Sequence, residues 1–249
     1  MIKVLPSSNP EKEDNLISYV NTLMELGVEY LHCDVMDGVF VQNKCLPFEV
    51  LENIRNNTNI LLDVHLMISE PIKHIKKYLG LKPNILTIHF EACKSISQIK
   101  KISKLVRSKD VLFGVSIKPS TPVSALFELK DYLDLILIMS VEPGKSGQKF
   151  LDTSLQKIKD AKVLCKDKDI ILEVDGGINE SNYQDIVDAG ATFLVMGNAF
   201  YTCVDKAGLL NKIDSHYKKS STQNKSNTQT KTSKQKKSST QKKPSTRSK

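Results

Sequence analysis

The chain has no Trp, no CxxC pair and no GxGxxG fingerprint. It also has no apolar run near the roughly 18 residues that a membrane-spanning helix requires. The first fourteen residues, Met1 to Asp14, hold only a five-residue apolar start before Ser, Asn and acids, so a signal peptide is not expected. The five cysteines, Cys33, Cys45, Cys93, Cys165 and Cys203, are odd in number and widely spaced. That excludes a paired-cysteine zinc cage and fits reduced thiols in a cytoplasmic protein rather than a disulfide frame. Residues 218–249 lack acids entirely but hold 11 Lys and Arg, and the rest of the chain has 25 basic against 28 acidic residues. The formal charge of +8 therefore belongs to the tail, and positions 1–217 carry about −3. A basic nucleic-acid-binding body is excluded by that balance.

What is present is an alternation of short apolar runs and longer amphipathic stretches. Strands are expected at Ile2–Leu5, Tyr30–Val35, Ile60–Met67, Ile85–Phe90, Val111–Ile117, Leu133–Val141, Ile170–Asp175 and Thr192–Met196. Leu16, Ile17, Val20, Leu23 and Met24 fall on one helical face, as do Leu151, Leu155, Ile158 and Cys165. Thr153 to Gln156 has the form of a capping box, and Pro71 and Pro122 suit first turns of helices. Eight strand-then-helix units imply α/β architecture with a parallel sheet, and eight units close into a (β/α)8 TIM barrel. The sequence reads as one barrel domain over 1–217 and a low-complexity Lys/Ser/Thr/Gln tail over 218–249, whose composition predicts disorder.

Alternate residues of a barrel strand face the lumen. In the second strand that rule sends Leu31, Cys33 and Val35 toward the helices and His32 with Asp34 inward. It sends Asp63 and His65 inward from the next strand, then Thr87 with His89, and Glu173 with Asp175. So many ionisable groups in one lumen are costly without partners. Two His and two Asp, namely His32, Asp34, His65 and Asp175, form a suitable ligand set for one divalent metal ion such as Zn2+, Fe2+, Mn2+ or Co2+. Asp63, Glu173 and His89 read as hydrogen-bonded core residues or as residues orienting those ligands. His74 and His216 fall on helical surfaces. Glycine loops follow the sixth strand (Gly144 to Gly147), the seventh (Gly176, Gly177) and the eighth (Gly197 with Asn198), where backbone N–H groups can approach a phosphate.

At these residues the sequence resembles the ribulose-phosphate 3-epimerase family. The matching text is Leu31 to Gly38 with Phe40-Val41, Asp63 to Met67, Met139 to Gly144, Gly147 to Phe150, and Val174 to Ile178. The resemblance runs from about residue 3 to 205. It implies an isomerase of the pentose phosphate pathway that interconverts D-ribulose 5-phosphate and D-xylulose 5-phosphate. It further implies His32, Asp34, His65 and Asp175 as metal ligands, Asp34 as proton acceptor and Asp175 as proton donor. Substrate contacts fall to Ser7, His65, Asp175, Gly144, Lys145, Ser146, Gly147, Gly176, Gly177, Gly197 and Asn198, and Met36, Met67 and Met139 wall the reacting carbons. A small ketose phosphate is the expected partner, with a homo-oligomer and a weak polyanion contact through the tail.

Lys145-Ser146 departs from the family's usual Phe-Gly, Gln42 from its Pro, and Asn198 from a common Ser. Ser146 puts a side chain where a glycine is free to take positive φ, so the sequence leaves the conformation of this loop open. The nearest rival function is 3-epimerisation of another ketose phosphate such as allulose 6-phosphate. Lyases of related barrels carry Asp-x-Lys-x-x-Asp on the third strand, where this chain has Asp63-Val64-His65. A third reading is a catalytically silent barrel that carries a polybasic nucleic-acid-binding tail.

Overall fold

The computed structural model describes residues 1–220 and 222. Nine strands form one sheet: β1 (Lys3–Pro6), β2 (Tyr30–Asp37), β3 (Lys44–Cys45), β4 (Leu61–Met67), β5 (Ile85–His89), β6 (Leu112–Ile117), β7 (Leu135–Met139), β8 (Ile171–Asp175) and β9 (Phe193–Met196). Their order is β1-β9-β8-β7-β6-β5-β4-β2-β3, and every pairing except β2–β3 is parallel. A parallel bridge between Ser7 and His32, with the Ser8 N–H donating to the His32 carbonyl at 3.0 Å, joins the first strand to the second. Eight parallel strands thus curl into the expected barrel. The ninth, Lys44–Cys45, pairs antiparallel with the end of β2 and folds the loop after it over the mouth.

The core has two layers because the strands alternate. Leu31, Cys33, Val35, Leu62, Val64, Leu66, Val115, Ile136, Val174 and Leu194 belong to the large outer cluster between sheet and helices. Leu5, Ile85, Leu135, Leu137, Met139, Phe193 and Val195 fill the lumen. Each fully buried side chain of this size contributes about 1.5–3 kcal/mol of transfer free energy. Met36, Val41 and Met67 make a third, small cluster at the mouth.

The helices are α1 (Leu16–Glu25), α2 (Phe48–Asn57), α3 (Pro71–Leu79), α4 (Ile96–Arg107), α5 (Thr153–Leu164), α6 (Tyr183–Ala189) and the short α7 (Asn198–Tyr201). Residues 206–220 are also helical. Pro71 takes the first turn of α3, where its missing N–H costs nothing. Four expectations are corrected here. Pro122 precedes a 3-10 run, Val123–Tyr132, instead of an α-helix. Val123, Leu126 and Leu129 are buried there at a spacing of three, which matches three residues per turn. The capping box at Thr153 does not form: Asp152 occupies the cap position without a side-chain bond, and Gln156 donates to Asp160 instead. Met24 and Leu151 are exposed, while Tyr19 and Ser154 are buried. His74 is exposed on α3, and His216 pairs with Asp188 of α6 at 3.0 Å. The last helix runs past Tyr217 to residue 220, so its end includes the first three residues of the expected tail. The remainder of that tail, apart from residue 222, lies outside the described residues.

Candidate metal centre and substrate cleft

The inward residues of β2, β4 and β8 meet at the C-terminal mouth of the barrel. His32, Asp34, His65 and Asp175 each offer a ligand atom, and these atoms lie within 4.8 Å of one another. Parallel pairing explains the meeting: β2 and β4 set Asp34 directly beside His65, and β8 carries Asp175 at its last position. Asp34 Oδ1 stands 3.0 Å from His32 Nε2 and 3.1 Å from His65 Nδ1, and Asp175 Oδ2 lies 4.0 Å from His32 Nε2. Two imidazoles and two carboxylates, all but Asp175 buried, fit a divalent cation in both charge and donor type.

Burial and charge act oppositely on the four groups. Burial alone pushes His32 down, but Asp34 and Asp63 push it further up, well above its ordinary value. Burial raises Asp34, and the two histidines outweigh it and hold that carboxyl well below the usual carboxylate range. Asp175 is raised to about 6 by burial and by the charge of Asp34. The two carboxyls therefore differ strongly in acidity.

Beneath this cluster His32 Nδ1 meets Asp63 Oδ2 at 2.5 Å, which turns the Nε2 edge of the ring toward the mouth. Glu173 is fully buried there, and neither of its carboxyl oxygens has a hydrogen-bond partner; Asp63 Oδ1 is also unpaired. Burial and the neighbouring Asp63 charge raise Glu173 well above its ordinary value. His89 packs beside His65 and is lowered by burial to about 4.

A cleft of about 540 Å3 opens above the cluster. It is lined by Ser7, Asp34, Asp175, Gly144, Lys145, Ser146, Gly147, Gly176, Gly177, Gly197 and Asn198, with Met36, Met67 and Met139 on its wall. Of the expected site residues only His32 and His65 are absent from the lining, being wholly buried beneath it. Ser146 lies in the loop after β7. Positive φ is taken by Gly144 and Gly147, and Ser146 is not among the left-handed residues, so the side chain is accommodated without strain. Gly177 has φ +66°, and a Cβ there would lie 2.3 Å from the backbone nitrogen of Phe150.

Sequence reasoning missed Asn9, whose Nδ2 donates to Asp34 Oδ2 at 2.8 Å alongside the Ser7 hydroxyl at 3.3 Å. It lies in a loop, where strand alternation gives no signal. Asp37 was missed as an anchor: its carboxylate accepts from the N–H groups of Val39, Phe40 and Ser69 and so pins the loop after β2. The Ser140 hydroxyl likewise holds the carbonyls of Asp175 and Gly176 at 2.8 and 2.7 Å.

The sequence matches the model of the ribulose-phosphate 3-epimerase family over residues 3–201. It is 37% identical to the ribulose-phosphate 3-epimerase of Bacillus subtilis, over 86% of this chain and 98% of that protein. It is 36% identical to the chloroplastic ribulose-5-phosphate-3-epimerase of Arabidopsis thaliana, over 75% of this chain and 67% of that protein. Among solved structures, a 3-hexulose-6-phosphate synthase superposes with a TM-score of 0.61 at 14% identity, covering 86% of this chain and 96% of the other, a likeness of fold alone. No helix among the described residues is long and apolar enough to cross a membrane. With the family model matched over most of its length and barrel and polar mouth in place, this chain belongs to the ribulose-phosphate 3-epimerase family.

Proposed function

We propose that the chain interconverts D-ribulose 5-phosphate and D-xylulose 5-phosphate by moving the C3 proton from one face of the sugar to the other. The observation that carries this reading is the pair of carboxyls at the mouth, Asp34 from β2 and Asp175 from β8, which bring ligand atoms within 4.8 Å of one another beside two imidazoles. Two carboxyls that face one cleft from different strands are suited to opposite proton roles. Asp34, ionised, takes the C3 proton, and the bond's electron pair moves toward the C2 carbonyl to give an enediolate. Asp175, protonated, returns a proton to C3 from the opposite face. In the reverse direction the two exchange roles.

His32, Asp34, His65 and Asp175 would hold one divalent ion, with Zn2+, Fe2+, Mn2+ and Co2+ all compatible with the donor set. Such an ion supplies positive charge that stabilises the negative oxygens of an enediolate. Ser7 and Asn9 fix the Asp34 carboxyl by hydrogen bonds. Met36, Met67 and Met139 wall the cleft with groups that carry no exchangeable proton, which keeps stray proton donors from the planar intermediate. Gly144 to Gly147, Gly176, Gly177, Gly197 and Asn198 line the cleft, which supports phosphate binding by their backbone N–H groups, with the Lys145 ammonium adding a positive charge at the same rim.

The free state of all five cysteines supports a reducing, cytoplasmic setting. The homo-oligomer expected from the family resemblance is open to light scattering of the purified chain. The proposed activity is tested by incubating ribulose 5-phosphate with the metal-supplied protein in heavy water. Deuterium is expected at C3, and its absence would overturn the assignment. Parallel assays on pentulose and hexulose phosphates, with elemental analysis of the protein, decide the substrate and the metal.

A further inference from the structure

Two histidine rings and a carboxylate form an unbroken line from the cluster toward the outside of the barrel. His65 turns Nδ1 to Asp34 Oδ1 at 3.1 Å and Nε2 to His89 Nε2 at 2.9 Å. His89 Nδ1 then stands 3.3 Å from Glu91 Oε2. The two rings are stacked with 26° between their planes, and both are wholly buried. Phe40 packs against His89 with centroids 4.7 Å apart, and the Lys118 ammonium lies over Phe40. The other carboxylate oxygen of Glu91 accepts from the Lys118 N–H at 2.8 Å and from the Thr121 hydroxyl.

Two facing ring nitrogens at this distance hold one proton between them, since two N–H groups clash and two lone pairs repel. A metal ligand nitrogen must be unprotonated. If Nδ1 of His65 faces a cation, the neutral ring keeps its proton on Nε2, and that N–H donates to His89 Nε2. The proton of His89 is then on Nδ1, aimed at Glu91. An ionised carboxylate can only accept, so Glu91 fixes the direction of the whole line.

We propose that Glu91, acting through His89, is a positioning residue that holds His65 in the tautomer with a free Nδ1 and thereby raises the cluster's affinity for a divalent cation. The inference rests on the metal reading above. Neither His89 nor Glu91 lines the cleft, so neither is placed to touch substrate. Glu91→Gln supplies the reversal. The amide oxygen would face the fixed Lys118 N–H, which turns the amide NH2 toward His89 Nδ1. His89 would then carry its proton on Nε2 and drive the His65 proton onto Nδ1, where it competes with the cation.

The test is zinc affinity of the full chain, wild type and Glu91→Gln, measured by competition with a chromophoric chelator, together with the melting temperature of each metal-free protein. Affinity is expected to fall roughly 10- to 100-fold, the usual loss when the partner of a ligating histidine is removed, with the metal-free melting temperature unchanged. Equal zinc affinity in the two proteins overturns the relay while leaving the metal reading intact. A wild-type chain that binds no zinc overturns both. Should Glu91→Gln fail to fold, long-range proton–nitrogen NMR of the zinc-loaded wild type decides: a His89 proton on Nδ1 supports the proposal, and one on Nε2 overturns it.

Discussion

One carboxylate oxygen of Asp34 and one of Asp175 come within 4.8 Å of each other from strands β2 and β8, yet the first group is held acidic and the second is raised to about 6. Replacing either with Asn keeps the size of the side chain and removes its proton role. Asp34→Asn and Asp175→Asn should each lower kcat by about 10^2- to 10^4-fold, the range for loss of a general acid or base. Steady-state assays with added metal check this, and unchanged circular dichroism separates it from unfolding.

Glu173 provides a pH test of the buried floor. Its pKa is raised in the folded protein above the ordinary value of 4.5, so the folded state holds a proton that the unfolded chain releases. Stability is therefore fully present below about pH 4.5 and is lost as pH rises toward the raised folded value. Glu173→Gln cannot ionise, and its amide can donate to the unpaired Asp63 Oδ1. The metal-free variant should be more stable than wild type by about 1–3 kcal/mol at neutral pH, with the gain vanishing toward pH 4. Thermal melts across that range read the difference, and a gain that grows as pH falls would contradict the argument.

Metal loading should stabilise the fold, because the ion binds four side chains that the unfolded chain does not hold together. At a thousandfold excess over Kd the gain is about 4 kcal/mol, and for a chain of this size each kcal/mol raises Tm by roughly 2–4 °C. Calorimetry with and without zinc, followed by a chelator, should show a rise and its reversal. His65→Ala should abolish most of the rise.

Gly177→Ala should damage the phosphate side of the cleft. Its Cβ would collide with the backbone of Phe150, which cannot rotate away, and alanine disfavours the φ of +66°. A loss of more than about 1 kcal/mol in stability is expected, with KM for the sugar phosphate raised. Denaturant titration and initial-rate kinetics check the two effects separately.

Deleting residues 223–249 should leave kcat/KM unchanged, since the described lining of the cleft is supplied by barrel residues between Ser7 and Ala199. Most of the basic charge of the tail goes with them, so retention on heparin should fall and lose its salt dependence. A fall in kcat/KM would place the tail in the reaction.

Strand period made most of this site legible. Two-residue alternation in Tyr30–Val35, Leu61–Leu66 and Ile170–Asp175 sends one chemical class outward and the other inward, and the structure keeps every one of those directions. What periodicity cannot reach is loop and turn chemistry. Asn9 acts from a loop and Glu91 from a 3-10 turn, and neither belongs to a repeating pattern. Lys44–Cys45 is too short to alternate. The capping box failed because the helix takes Asp152 as its cap residue, one position earlier, and Gln156 bonds Asp160 instead. The 3-10 run was missed because a proline suits the start of a 3-10 turn as well as that of an α-helix, so Pro122 did not tell the two apart.

The join between the first two strands has a consequence for how the molecule fails. Where β2 pairs with β4 along seven aligned residues, its described backbone link to the first strand is a single bridge just past β1, through Ser7, Ser8 and His32. A cylinder parts first where its staves are least stitched, and local opening costs least where few bonds must break. Here the thin stitch runs through His32 and beside Asp34. Gentle heating should therefore silence turnover while the helical signal still reads as native.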